Sequence, residues 1–211
     1  MAGISGADAE NLITQEFGGC PADDYGQYTF EQGLITKLPF SAGYELWLHP
    51  DHAESAVNNL LPNAQLANQQ SWPLNLINHG LPQLTHEQME EQIPQMVNLG
   101  LLEGISFNKG CYTGQEIVAR MQYLGKMKRH MYRVSVHGAL TKSGDSLFTA
   151  DNKTAGSVIN TAIEGDRTIS LAVIEDKYLE APLFANSDLS TAVELLSLPY
   201  DPLNDPNSSG S

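Results

Sequence analysis

Cys111 lies in the run Lys109-Gly110-Cys111-Tyr112-Thr113-Gly114-Gln115-Glu116. Thr113 and Glu116 have the spacing of a capping box, with threonine at the N-cap and glutamate three residues on. Ile117, Val118 and Ala119 then supply an apolar face, so a helix is expected from about Gly114, with Cys111 just ahead of it. The first N–H groups of a helix have no partner inside it and carry a partial positive charge. Lys109 adds a full charge. Such a setting holds anions and favours thiolate over thiol. Cys111 is therefore a candidate reactive thiolate, transient metal or cluster ligand, or redox switch. The alternative is a small apolar side chain packed under a turn. Gly110 and Gly114 would let the backbone pass close to a ligand or another segment. Glu116 is assigned to capping rather than to general-base chemistry.

Two other places invite a chemical reading. Trp72 opens the apolar run Trp72-Pro73-Leu74-Asn75-Leu76, and an indole face can stack on a flat heterocycle such as a pterin. Ordinary core packing is the alternative. The basic stretch Lys126-Met127-Lys128-Arg129-His130, between Tyr123 and Tyr132, could hold phosphates and stack a base. A solvated connector explains it equally simply and is preferred. Trp47 alternates against Leu46 and Leu48 and is read as surface or interface. The histidines form no metal-ligand spacing, so no metal site is expected. No phosphate-binding glycine loop and no nucleophile-elbow pattern occurs.

The elements that must position these residues come from a chain of 211 residues, long enough for one large domain or two modest ones. Its hydrophobic content of 41% and charged content of 17% are those of a soluble globular protein. No apolar run is long enough to span a bilayer and no secretory leader is evident, so a cytoplasmic location is expected. Cys20 and Cys111 give no disulfide framework, which fits a reducing compartment. The net charge of −14 is uneven. Residues 1–108 carry 13 acidic side chains against one basic, Lys37, whereas residues 109–133 carry six basic against one acidic, Glu116. A basic island in an acidic protein suggests local attraction for an anion and argues against broad nucleic-acid binding.

Hydrophobic periodicity predicts a strand over Ala2–Ser5, a helix over Ala7–Phe17, strands over Tyr25–Lys37 and Tyr44–His49, and a helix opened by Pro50 with Asp51 as N-cap. A last strand is expected over Trp72–Ile77, giving the order βαββαβ of a ferredoxin-like unit. Thr85 and Gln88 have capping-box spacing for a short helix ending before Pro94. Beyond Met131, alternating runs at 131–136, 157–163, 168–174 and 191–198 predict a small β-barrel or sandwich. The expected fold class is α+β. The expected division is 1–128, 129–203 and a disordered tail over 204–211.

The segment Gly104-Ile105-Ser106-Phe107-Asn108 through Glu116, continued by Ile117-Val118-Ala119-Arg120, resembles the signature of the YgfZ family. Ile93-Pro94-Gln95, Asn98-Leu99 and Trp72-Pro73-Leu74-Asn75-Leu76 also resemble it. That family is similar in fold to the T-protein of the glycine cleavage system. The resemblance implies that residues 1–128 are the second half of a folate-binding, T-protein-like domain, lacking the N-terminal part, and that residues 129–203 are a C-terminal barrel. It implies tetrahydrofolate as ligand, with Trp72 near it, and Cys111 as the motif cysteine. Lys109, Gly110, Tyr112, Gly114, Gln115, Glu116 and Arg120 are implied as motif residues. It further implies an accessory protein for assembly or repair of iron–sulfur enzymes such as a tRNA methylthiotransferase, acting on tRNA indirectly. Two alternatives remain open: a folate-dependent aminomethyltransferase-like enzyme, and a direct tRNA-binding module built on residues 120–133.

Overall fold

Ala9, Leu12, Ile13 and Phe17 fall on one side of a helix with 3.6 residues per turn. In the computed structural model they lie on α1, Ala9–Phe17. The structure describes residues 1–88, 90–123, 125, 127–138 and 141–204. Helix α1 ends because Gly18 adopts φ 80°, and its N–H caps the carbonyl of Thr14.

Three further strands and β1 (Ala2–Ile4) make one antiparallel sheet: β2 (Gln27–Phe30), β3 (Gly33–Lys37) and β4 (Tyr44–Leu48), in the order β1-β4-β3-β2. Alternate residues point to one face. There Ile35, Tyr44 and Leu46 close over Ile13 of α1 and Leu60 of α2 (Pro50–Leu60). The run expected as one strand over Tyr25–Lys37 is a hairpin, because Glu31 and Gln32 turn the chain and leave Phe30 opposite Gly33. Asp51 sits inside the first turn of α2. The N-cap is His49, and Pro50 takes the first helical position, where its missing N–H costs nothing.

The strand expected over Trp72–Ile77 is instead a helix, α3 (Ser71–Asn78). An apolar run this short suits either period. Pro73 is tolerated in a first helical turn, and Leu76 and Ile77 are the residues buried. The first unit therefore runs β-α-β-β-β-α, and its fourth strand comes from the split hairpin rather than from residues 72–77. The chain divides into two compact units, Met1–Trp72 and Pro73–Ser211, so the division falls inside α3.

The second unit is built on a closed barrel of six strands: β5 (Arg129–His137), β6 (Ser146–Thr149), β7 (Thr154–Glu164), β8 (Arg167–Glu175), β9 (Leu183–Phe184) and β10 (Ala192–Leu196). Their order is β10-β5-β8-β7-β6-β9. Val134, Leu147, Val158, Ala172 and Ile174 form one of its cores. A second cluster joins Ile169, Leu171 and Val173 of β8 to Ile77 of α3 and to Val97 in the 3-10 turn Pro94–Val97. Strand β8 is thus buried on both faces: its seven central residues are all buried, although the sequence there alternates. The turn 164–167 lies where it was expected, between β7 and β8.

The segment between α3 and the barrel is held by side-chain amides. Half of the capping box at Thr85 is formed, its N–H donating to Gln88 Oε1 at 3.1 Å, while the Gln88 N–H donates to the Thr85 carbonyl; the helix is a single 3-10 turn, His86–Gln88. Gln88 Nε2 donates to the carbonyls of Val158 (3.2 Å) and Ile159 (3.0 Å), where β7 carries a bulge. Asn98, left-handed at φ 59°, pairs with Met131 as a strand neighbour would. Its Nδ2 donates to the Met131 carbonyl at 2.8 Å, and the Met131 N–H donates to its Oδ1 at 3.2 Å. Arg133 Nη1 donates to Asn78 Oδ1 at 3.0 Å and to its carbonyl at 3.3 Å, capping the end of α3. Tyr200 donates to the Gly80 carbonyl at 2.7 Å.

Candidate functional site

The motif cysteine stands on an exposed turn. Cys111 is exposed and free, and α4 (Gln115–Tyr123) begins four residues later. The helix start differs from expectation by one residue. Gly114 has φ 87° and its carbonyl accepts from the N–H groups of Ile117 and Val118, so Gly114 is the N-cap and Thr113 lies outside. The side-chain bond that ties the turn runs from the Tyr112 N–H to Gln115 Oε1, at 3.3 Å, not between Thr113 and Glu116. Glu116 lies exposed in the first turn, where its charge favours the helix N-terminus.

Lys109 Nζ sits 4.8 Å from the centre of the Tyr112 ring, so the lysine is drawn back over the turn that carries Cys111. Arg120 is exposed one turn further along α4. Gly110 needs no special backbone, and a Cβ built on it would meet no atom within 4 Å.

The floor of this turn escaped the sequence reading. Val118 and Gln122 face inward on α4. Gln95 is 6% exposed, and its Nε2 donates to the Val118 carbonyl at 2.7 Å, while its Oε1 is buried with no donor. The only sequence signal was the stretch Ile93-Pro94-Gln95. Phe107 packs edge-on against Tyr123, with ring centres 5.6 Å apart, so the two ends of the motif brace each other.

The second cysteine has a different setting. Cys20 is half-buried beside Tyr44, and burial pushes its thiol up from the ordinary value. The Tyr44 hydroxyl donates to Glu10 at 3.3 Å. Such a thiol stays protonated and is a poor nucleophile.

Trp72 belongs to the first unit. Its indole lies against the backbone of β1: a Cβ on Gly3 would meet ring atoms at 2.3–2.5 Å. Indole Nε1 is buried and has no acceptor. Trp72 and Gly3 line a cleft of about 570 Å³ together with Leu46, Leu60 and Asp8, the last being the only ionisable side chain in its lining. That volume is within the roughly 300–1,000 Å³ of small-molecule sites. A cleft of that size, with an indole and leucines beside amide and hydroxyl side chains such as Asn63, Gln65 and Ser71, suits a flat ring with polar edges, so the residues present fit the ring of a tetrahydrofolate. Trp47 is 50% exposed, as expected for a surface position.

The basic stretch is largely spoken for. Arg129 and His130 are in β5. Arg129 pairs with Glu175 at 2.7 Å, and His130 Nδ1 lies 2.8 Å from Asp176, which also accepts from Tyr132 at 2.9 Å. Lys128 is exposed, and Lys126 lies outside the described residues. Residues 205–211 of the expected tail also lie outside them. Among the described residues, no group of three or more His, Cys, Asp and Glu is placed to hold a metal ion. No helix among them is long and apolar enough to cross a membrane.

No family model matches the chain. It is 34% identical over 214 residues to the tRNA-modifying protein YgfZ of Photobacterium profundum, covering 95% of this chain and 62% of that protein. It is 38% identical over 160 residues to a protein of that name from Aliivibrio fischeri, covering 74% of this chain and 49% of that one. With the Yersinia enterocolitica protein of the same name the identity is 30%, over 95% of this chain and 63% of the relative. The chain thus spans from about half to three fifths of these relatives' length. Among solved structures it superposes on aminomethyltransferase T of the glycine cleavage system from Bartonella henselae with a TM-score of 0.68 and 12% identity, over 93% of this chain and 58% of that one. At that identity the likeness is one of fold, and it is the T-protein-like fold that the motif resemblance implied.

Proposed function

This chain carries YgfZ-family sequence along 95% of its length, and on that premise we propose that it serves tRNA modification as a folate-binding accessory factor. In this reading it supports the assembly or repair of iron–sulfur enzymes in the cytoplasm, a tRNA methylthiotransferase among them, and affects tRNA through them. The observation that carries the proposal is the exposed thiol of Cys111 on a turn whose Gly110 faces open space. A side chain so placed can meet a cluster or a client protein, whereas a structural cysteine would be buried.

Tetrahydrofolate, when bound, would supply a carrier for one-carbon units. The residues to hold its ring are those beside Trp72. Asp8 alone is ionisable among the side chains lining that cleft, so no acid–base pair faces it, which favours ligand binding over aminomethyl transfer. The ion pair of Arg129 with Glu175 and the hydrogen bond between His130 and Asp176 tie up two side chains that a direct tRNA interface on residues 120–133 would use.

The test is complementation of cells lacking their own copy, with methylthio-modified tRNA nucleosides measured by mass spectrometry. Cys111→Ser should lose most of the restored modification, and Cys20→Ser should keep it. Equal modification by the wild-type and Cys111→Ser proteins would remove the thiol from the function.

A further inference from the structure

Helix α4 carries its apolar residues on both sides. Val118 and Gln122 point inward together, while Ile117, Arg120 and Tyr123 fall on the opposite side. Ile117 is 59% exposed and Tyr123 is 57% exposed, and Arg120 lies exposed between them. A β-branched isoleucine in water helps neither the helix nor the core. The strip begins in the first turn of α4, the end that carries the Cys111 turn, and Phe107 packs against its far end at Tyr123.

Single exposed apolar residues are ordinary. This strip differs in its spacing and its charge. Residues at i, i+3 and i+6 are those a helix lays into a partner's groove. Tyrosine and arginine are enriched among the residues that dominate protein interfaces. The charge here is opposite to that of the rest of the chain. Residues 109–133 carry six basic side chains against one acidic, in a chain of net charge −14. Among the described residues, neither Arg120 nor Lys109 is paired with a carboxylate.

We propose that Ile117, Arg120 and Tyr123 form the docking face for a client protein whose surface has an apolar socket ringed by carboxylates. The socket takes Ile117, the carboxylates meet Arg120 and Lys109, and the client's reacting centre is brought to the Cys111 turn. This rests on the client-protein reading above and specifies the surface and the partner's chemistry. A nucleic acid suits the strip less. Isoleucine offers no ring to a base, two cations neutralise few phosphates, and the net charge of −14 repels a polyanion.

The test separates docking from chemistry. The probe is a purified tRNA methylthiotransferase holding its cluster, and its binding to the immobilised chain is followed by interferometry over a range of salt, with a tRNA transcript measured alongside. Ile117→Ser and Arg120→Gln should each weaken the enzyme's binding by about tenfold or more, the loss typical of an interface hot spot. Arg120→Gln should also flatten the salt dependence. Thermal melts check folding, and either variant carries the test if the other unfolds. Cys111→Ser should bind the enzyme as wild type does and still fail to restore methylthio modification. Enzyme binding that neither Ile117→Ser nor Arg120→Gln changes overturns the inference, as does a wild-type chain that does not bind the enzyme. Binding of tRNA that Arg120→Gln abolishes, with enzyme binding intact, makes the strip an RNA surface and overturns it too. In each of these cases, loss of modification in Cys111→Ser leaves the functional reading standing. Full modification by Cys111→Ser overturns that reading and the inference with it.

Discussion

The indole of Trp72 covers the backbone of Gly3 so closely that a single added methyl group would lie 2.3 Å from its ring. Glycine at position 3 is therefore what allows an aromatic ring to close the β1 edge of the first unit. Gly3→Ala should force the ring away and destabilise the unit by about 1–3 kcal/mol, the usual cost of overpacking. Urea denaturation followed by tryptophan emission reads both effects. An unchanged midpoint and spectrum would show that the ring yields freely.

The two motif glycines should separate under substitution. Gly114 has φ 87°, a conformation that costs an L-residue about 1–2 kcal/mol, so Gly114→Ala should lower the melting temperature. Gly110→Ala meets no atom and should leave the melt unchanged while lowering tRNA modification in the complementation assay. If Gly110→Ala were fully active, no partner would need the space above that residue.

Asp151 is held well below the ordinary carboxylate value of 3.8, at about 2, first by the hydrogen bond from Lys153 and then by that from Thr149. Because the folded value is the lower one, the stabilisation is fully present above 3.8. It is lost as the pH falls from there through about 2. The group is exposed, so salt should weaken the effect. Carboxyl NMR of Asp151 should show a midpoint near 2, moving back toward 3.8 in Lys153→Met. A midpoint unaffected by that substitution would assign the shift elsewhere.

Legibility in the sequence followed the strength of the local pattern. Helices α1 and α2 and strands β4, β5, β7, β8 and β10 stood out because their periods are long or their turns explicit. Strand β6 has four residues and a register shift, and β9 has two, so neither presents enough alternation to register. Residues 72–77 were read with the wrong period, since Trp72, Leu74 and Leu76 alternate while burial in the helix falls on Leu76 and Ile77. At the motif, Cys111 was visible from its neighbours, and the helix start was one residue off because Gly114 rather than Thr113 takes the cap. What no pattern could reveal was long-range: Gln95 under α4, Asn98 beside Met131, and Glu175 and Asp176 against Arg129 and His130. Each joins residues 23 to 46 positions apart, which no local pattern relates.

Tyr200 follows the last barrel strand, yet its hydroxyl ends on Gly80, 120 positions earlier in the chain. Asn98 Nδ2 lies 3.4 Å from the same oxygen. The stretch from Gly80 to Asn98 is thereby stapled at both ends by one phenol that a ribosome makes only after every strand is out. The belt carrying Gln88 and Gln95 can thus be buckled only after Tyr200 has been made. Gln95, which holds the Val118 carbonyl of α4, lies within this stretch, so the segment beneath the Cys111 helix is bounded by contacts made from beyond the barrel.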